Sequence, residues 1–486
     1  MRIYGLLYLA GVLALSRLGH AVSYRAAAAT MSLYALSYFA GLYASLLVYR
    51  GFLNPLNKFP GSLMARFTSL WLTTQCAKDA DAYKKMTALH RKYGDFVRTG
   101  SHDLSTTHPD AVQALYGAGS KCTKAHWYDQ DQPRLSMHTS RSKALHDRRR
   151  RIWSPAFSDR ALRGYERRIE THGNELVRQI GAFSSGSVDV SKWFNLYSFD
   201  VMGDLAFGKS FGMLQSGEEH YAVKLLQEGM EPMGLMRESE ARCATPNFSR
   251  DMSDTALSVP PWLFRMVAAI PGLAAGYWKF INYCSECLAR RMEQPKDAAS
   301  EKDIMATLLD GLDGAAPSAT ELNYLQGDSR LIIVAGSDTT AATMTFLFHH
   351  LAAAPAEAEK LRTEVAPHVK ADGSVAHQDI QNLPYLNGAI NEALRLHPPV
   401  PTALARLTPP EGIMLGDTHI PGGTTVFVPQ YAMGHSEGNY VHAEAFVPER
   451  WYSRPEMIKN KSAWFPFSIG ASPRYLVWRA HVTLHR

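Results

Sequence analysis

Between Arg25 and Arg50 the chain runs from Ala26 to Tyr49, 24 residues, without a charge. Wound as an α-helix, that run is roughly 36 Å long, more than the ~30 Å hydrocarbon core of a bilayer. Nothing earlier in the chain is large enough to bury such a helix, so the run predicts a membrane anchor. Tyrosines near its ends suit the interface. An earlier apolar stretch, Ile3 to Ser16, is too short to span comfortably. With Arg2 as a basic start, residues 1–21 also fit a cleaved signal peptide, but a second apolar run so soon afterwards argues against a freely soluble secreted product. One crossing or two are both open at this level.

Directly after the anchor, Asn54-Pro-Leu-Asn-Lys58-Phe-Pro60-Gly61 places two prolines where a helix cannot continue. It predicts a stiff, extended elbow. The expected division is an anchor over 1–50, an elbow over 51–62 and one large helix-rich domain with a small sheet over 63–486. A formal charge of +6 on 486 residues, with no zinc-finger spacing or basic-aromatic array, gives no support to nucleic-acid binding. Five scattered cysteines (76, 122, 243, 284, 287) make no disulfide framework and point to a reducing compartment. Cys284 and Cys287 form a C-x-x-C without a second pair inside a helix-like run, Trp278 to Met292, which reads as structural.

Along the body the pattern is mostly helical. Lys92 to Gly100 reads as a helix end, a glycine turn and a short strand. His146 to Phe157 is a basic helix as far as Pro155. Ser318 to Leu351 is a long apolar helix with Ser318 or Thr320 as N-cap and Pro355 closing it. Ala358 to Val369 and Leu386 to Leu396 are further helices, and Thr424 to Val428 is a strand. The polar segment Glu293 to Pro317 reads as an exposed loop.

Three motifs carry chemistry. In Asn391-Glu392-Ala-Leu-Arg395-Leu-His-Pro-Pro399, Glu392 and Arg395 lie three apart and share a helix face. Flanking Ala and Leu imply burial, and Phe446-Val-Pro448-Glu-Arg450-Trp451 can deliver a second arginine to the same carboxylate. Ala335-Gly336-Ser-Asp338-Thr339-Thr340 puts a glycine and two threonines inside the long helix, where they are locally unfavourable. Threonine back-bonding in an ordinary buried helix is one explanation. Finally, His146-Asp-Arg-Arg-Arg150-Arg sets four arginines in a row, of which only one helix face can meet a ligand.

The order of anchor, elbow, Arg-rich helix, A-G-x-D-T-T, E-x-x-R and P-E-R resembles the microsomal cytochrome P-450 family over essentially the whole chain. Asn-Pro-Leu-x-Lys-Phe-Pro-Gly and Arg-x-Trp-x-x-Ala-Phe-Ser look like its fungal secondary-metabolism members. The resemblance implies a mainly-α cytochrome P-450 fold with an N-terminal membrane helix, sited in the endoplasmic reticulum membrane with the body facing the cytosol. It implies haem b, NADPH-cytochrome reductase as electron donor, membrane lipid as a partner, and insertion of one oxygen atom from O₂ into a lipophilic small molecule. Residue by residue, Asp338 and Thr339 would manage protons and oxygen, and Gly336 would open space over the cofactor. His146 (where a tryptophan is common), Arg150 and Arg406 would hold the propionates. Glu392, Arg395 and Arg450 would be scaffold.

Phe467-x-x-Gly470 and Pro473-Arg474 resemble the start of the family's iron-ligand loop, yet no cysteine follows Cys287. With no gap after Gly470, Arg474 stands at the ligand position; with two extra residues Arg474 keeps its own role and Leu476 stands there. Neither side chain can donate a thiolate, whose electron density favours O–O cleavage. Two readings follow: a truncated or mis-spliced product of a monooxygenase gene, the domain ending within or just after the loop, or a haem-poor relative that keeps the fold for binding. His435 and His442, read as exposed loop residues, are the substitute ligands to consider.

Overall fold

The computed structural model describes residues 2–18, 23–76, 81–129, 132, 134–183, 186–221, 223–224, 270, 275–294, 303–311, 316–402 and 404–469. Two N-terminal helices, α1 (Arg2–Leu18) and α2 (Tyr24–Val48), precede the body. The apolar window of α2 is 0% buried, while a second helix of equal mean hydropathy, Ala319–Ala353, is 44% buried. That difference separates a candidate membrane span from a core helix.

The elbow is docked. Asn54 caps a short 3₁₀ turn, Pro55–Lys58, its side chain accepting from Leu56 N at 2.8 Å and donating to Ser101 O at 3.2 Å. Arg98, almost fully buried, binds the carbonyls of Gly100 and Ser101 at 3.0 Å and the Asn57 side chain. The Arg98 backbone N–H also donates to Pro60 O.

Helix α3 (Ala82–Tyr93) ends at Gly94, whose φ of 88° needs glycine, and feeds strand β1 (Phe96–Arg98). A five-stranded sheet has the order β1, β2 (Asp103–Thr106), β7 (Thr425–Phe427), β4 (Arg406–Leu407), β3 (Thr123–Lys124). Strands β5 (Ile413–Leu415) and β6 (Thr418–Ile420) make a separate hairpin. The expected strand Thr424 to Val428 is therefore present but shorter.

The body's largest apolar cluster lies where α6 (Val190–Phe207) packs on the long helix, with Phe194, Phe199, Met202, Leu205, Ile332 and Ile333 buried. Flanking α6 in the chain are α4 (Lys143–Trp153), α5 (Asp159–Gly181) and, beyond it, α7 (Ala275–Glu293). The segment expected as an exposed loop, Glu293 to Pro317, instead contains α8 (Ile304–Asp310). Its composition is polar overall, but Ile304, Met305 and Leu308 fall on one buried face, and Asp303 caps it through Ala306 N while binding Arg291 at 2.7 Å. Both charges of that pair are buried.

The long helix α9 (Ala319–Ala353) starts in a capping box, Ser318 accepting from Glu321 N and Glu321 returning to Ser318 N. Helix α10 (Pro355–Val365) begins with Pro355 in its first turn, three residues earlier than composition suggested, because proline is tolerated there. Helix α11 (Pro384–Leu396) carries the E-x-x-R motif. On α7, Cys284 and Cys287 are free thiols whose pKa values burial pushes up, so neither is poised as a nucleophile.

Candidate active site

Glu392 is fully buried, and its carboxylate is surrounded by donors. Arg395 binds it bidentately, Nη2 to Oε1 at 2.7 Å and Nε to Oε2 at 2.9 Å. Arg450 Nε reaches Oε1 at 3.0 Å, Val447 N reaches Oε1 at 2.9 Å, and Trp451 Nε1 reaches Oε2 at 2.9 Å. The structure thus brings Glu392, Arg395 and Arg450 together. It adds Trp451, quoted in the sequence motif but assigned no role there. The spare guanidinium donors serve the chain itself: Arg395 binds Gly434 O, Ala443 O and Ala445 O, and Arg450 binds Val441 O and His442 O.

A second assembly is cationic. In the β3–β4 ladder Lys124 lies directly opposite Arg406. Lys124 Nζ donates to Met137 O at 3.1 Å and His138 O at 2.6 Å, and Arg406 lies over the Tyr116 ring, 5.0 Å from its centroid. Among the described residues no carboxylate comes within ion-pair distance of either. Burial, then repulsion from Arg406, pushes the Lys124 ammonium down to about 7. His146 on α4 joins the group: burial, reinforced by Lys124, lowers its pKa, and Asp147 beside it at 3.2 Å offsets this only in part. Like charges set across a strand pair are destabilising. Two such cations without an anion between them make a site suited to a dianion, and Lys124 is the member that sequence reading missed. Only the strand register places it beside Arg406.

The four arginines of α4 divide by face. Arg149 is buried and bound to Asp328 of α9, which also accepts from Trp153 Nε1 at 2.9 Å and Met137 N at 2.8 Å. Arg148 faces Glu321 at 3.7 Å. Arg149 is therefore a tie between α4 and α9, while His146, one turn before Arg150, meets Lys124 electrostatically.

On α9, Thr339 Oγ1 donates to Ala335 O at 2.8 Å, and Thr343 and Thr345 repeat the same bond one and two turns on. The back-bonding expected of an ordinary helix is present. Gly336 is buried against α6, where a Cβ would require the Met202 side chain to shift. Asp338 is half-buried with no hydrogen-bond partner among the described residues, and burial alone pushes its carboxyl up to about 7.

That carboxyl costs stability with a defined pH dependence. Its folded pKa lies above the ordinary 3.8, so the folded state binds the extra proton, and stability falls as pH rises from about 4 to about 7. Asp338→Asn is expected to raise the thermal midpoint by an amount that grows across that window and then levels. At about 1.4 kcal/mol per pKa unit, the ceiling is on the order of a few kcal/mol. Melts at pH 4, 6 and 8 check it, and a gain independent of pH would mean the carboxyl is solvated.

Phe467 packs with Phe446 against the apolar faces of α9 and α11. Gly470, Arg474 and Leu476 lie outside the described residues. Of the substitute ligands, His435 is buried, not exposed. Its Nδ1 sits 2.9 Å from Tyr431 O, and its ring stacks on Tyr431 at 3.8 Å. His442 is a turn residue with φ 51° whose carbonyl holds Arg450.

A helix-rich body with a buried carboxylate hub and two cations on adjacent strands is a scaffold suited to an anionic cofactor. The cytochrome P-450 family model matches residues 60–472. The chain is 43% identical over 448 residues to the cytochrome P-450 monooxygenase notG′ of Aspergillus versicolor, covering 92% of this chain and 77% of that protein. It is 41% identical over 443 residues to tryprostatin B 6-hydroxylase of Aspergillus fumigatus, covering 90% and 75%. To the monooxygenase lcsK of Purpureocillium lilacinum it is 40% identical over 475 residues, covering 96% and 82%. The chain belongs to the cytochrome P-450 family of haem b monooxygenases, and its relatives are fungal secondary-metabolism enzymes.

Proposed function

We propose that this chain's fold serves the oxidation of a lipophilic secondary metabolite, with electrons from an NADPH-dependent reductase, at the cytosolic face of the endoplasmic reticulum, once the iron has a thiolate ligand, which no residue after Cys287 of this sequence supplies. The observation that carries the site assignment is the Lys124–Arg406 pair, two uncompensated cations on adjacent strands. Their donors suit the two propionates of haem b, with His146 and Arg150 completing the cradle from α4. Haem, when bound through a thiolate, supplies the activation of dioxygen. The chain's own residues do the rest. Asp338, titrating near neutrality, holds and releases a proton beside Thr339, whose hydroxyl oxygen keeps lone pairs to accept from a water. Glu392, Arg395 and Arg450 hold the body in register beneath. Hydroxylation is the reaction suggested by the name of the relative tryprostatin B 6-hydroxylase.

Haem titration of the purified chain tests the cradle without requiring turnover. Lys124→Ala and Arg406→Ala are each expected to weaken haem binding about 10- to 100-fold, the worth of one charge-assisted hydrogen bond. Arg148→Ala, on the Glu321 side of α4, should leave affinity unchanged. Equal haem affinity in all three variants would remove the propionate assignment.

A further inference from the structure

The two N-terminal helices form a paired unit. Four residues, 19–22, and the cap Ser23 separate α1 from α2, too few to let the helices run parallel. Their contact is specific. Tyr8 OH donates to Ala28 O at 3.2 Å and hydrogen-bonds Ser32 Oγ at 2.8 Å. Gly11 packs directly against the Met31 side chain, the small residue leaving room for its thioether end. Ala27 is fully buried although most of α2 is exposed. In water a hydroxyl pair between two apolar helices has little purpose. In hydrocarbon it satisfies groups that have no other partner, and a small residue at the crossing is the usual route to close packing.

Charge agrees with that setting, and length falls a little short of it. The apolar stretch of α1, Ile3 to Ser16, spans about 21 Å against roughly 27 Å for the endoplasmic reticulum hydrocarbon core, a mismatch that local thinning of the bilayer absorbs. Arg2 and Arg17 bracket that stretch in the sequence, one charge at each end. We propose that α1 and α2 are a helical hairpin crossing the bilayer twice, which returns the start of α1 to the same side as the body. Arg2, Arg50 and Lys58 then lie on the body side and Arg17 and Arg25 on the other, the balance that places the body in the cytosol. The hairpin also limits rotation of the docked elbow, which a single rod would leave free about its axis.

This rests on the membrane-anchor reading, and the test separates the two. The full chain, carrying an N-terminal extension with an N-glycosylation acceptor, is expressed in yeast and recovered in sealed microsomes. The extension is expected to stay unglycosylated and to be digested by added protease, while the same tag inserted with spacers between Leu18 and Ser23 is glycosylated. A glycosylated N-terminal tag on carbonate-resistant chain overturns the hairpin and keeps the anchor. An unglycosylated tag at both positions also overturns the hairpin. Release of the chain by alkaline carbonate overturns the anchor reading itself.

Discussion

Glu392→Ala is expected to leave no folded chain: cells should yield only aggregated or degraded protein, with no cooperative melt in any soluble fraction. The carboxylate accepts five hydrogen bonds from Arg395, Arg450, Trp451 and Val447, and both guanidinium groups are buried. Removing it strands two buried cations. Breaking one such pair typically costs about 3–5 kcal/mol, so two breaks approach the 5–15 kcal/mol that holds a whole domain together. Elsewhere, buried ion pairs can be exchanged for well-packed apolar residues at little loss. Here that exchange fails, because Arg395 and Arg450 also satisfy six backbone carbonyls that an apolar side chain would orphan. Glu392→Gln keeps the shape and loses the charge, and should fall between. Lys360→Ala sets the scale at the other end. Its pair with Glu449, at 2.7 Å, joins partly exposed side chains and should matter by less than about 1 kcal/mol. Circular dichroism melts and recovered soluble yield check all three.

That hub was readable because its parts are local. Glu392 and Arg395 share one helical turn, and Arg450 arrives in a short motif with its own proline. The long helix was readable for the same reason, its cap and its closing proline both being local signals. What escaped was whatever depends on which elements meet. Lys124 gains its meaning from a two-residue strand paired with residues far along the chain. Asp328 could have been flagged, since an acid flanked by Tyr324, Leu325 and Ile332 on a core helix needs a partner, but nothing in sequence says that the partner is Arg149 and not Arg150. Gly336 was read as opening space over the cofactor, and periodicity alone could not show that it also packs against Met202. Helix α8 was hidden by its polar flanks, although Asp303 three residues before Ala306 is a cap signal that could have been used.

The second large effect concerns the iron ligand. As it stands, the haem-loaded, dithionite-reduced, carbon-monoxide-bound chain is expected to show no thiolate Soret band, because no cysteine follows Cys287 and both described thiols on α7 are held protonated by burial. Leu476→Cys and Arg474→Cys then divide the two registers of the loop. If the two residues after Gly470 are an insertion, Arg474 keeps its own place in the loop and Cys at 476 alone should bring the band up from nothing. If the loop runs without a gap, Cys at 474 alone should do so. A cysteine differs from leucine here by a lone pair and a negative charge, and from arginine by two units of charge at the metal, so the response is all-or-none and not graded. The inserted register keeps Arg474 and Val477 in family positions, whereas the ungapped register puts Ser472 where an arginine belongs, which favours Leu476→Cys. A band in neither variant, with haem still bound, would place the fault in the loop backbone itself and not in one substituted side chain.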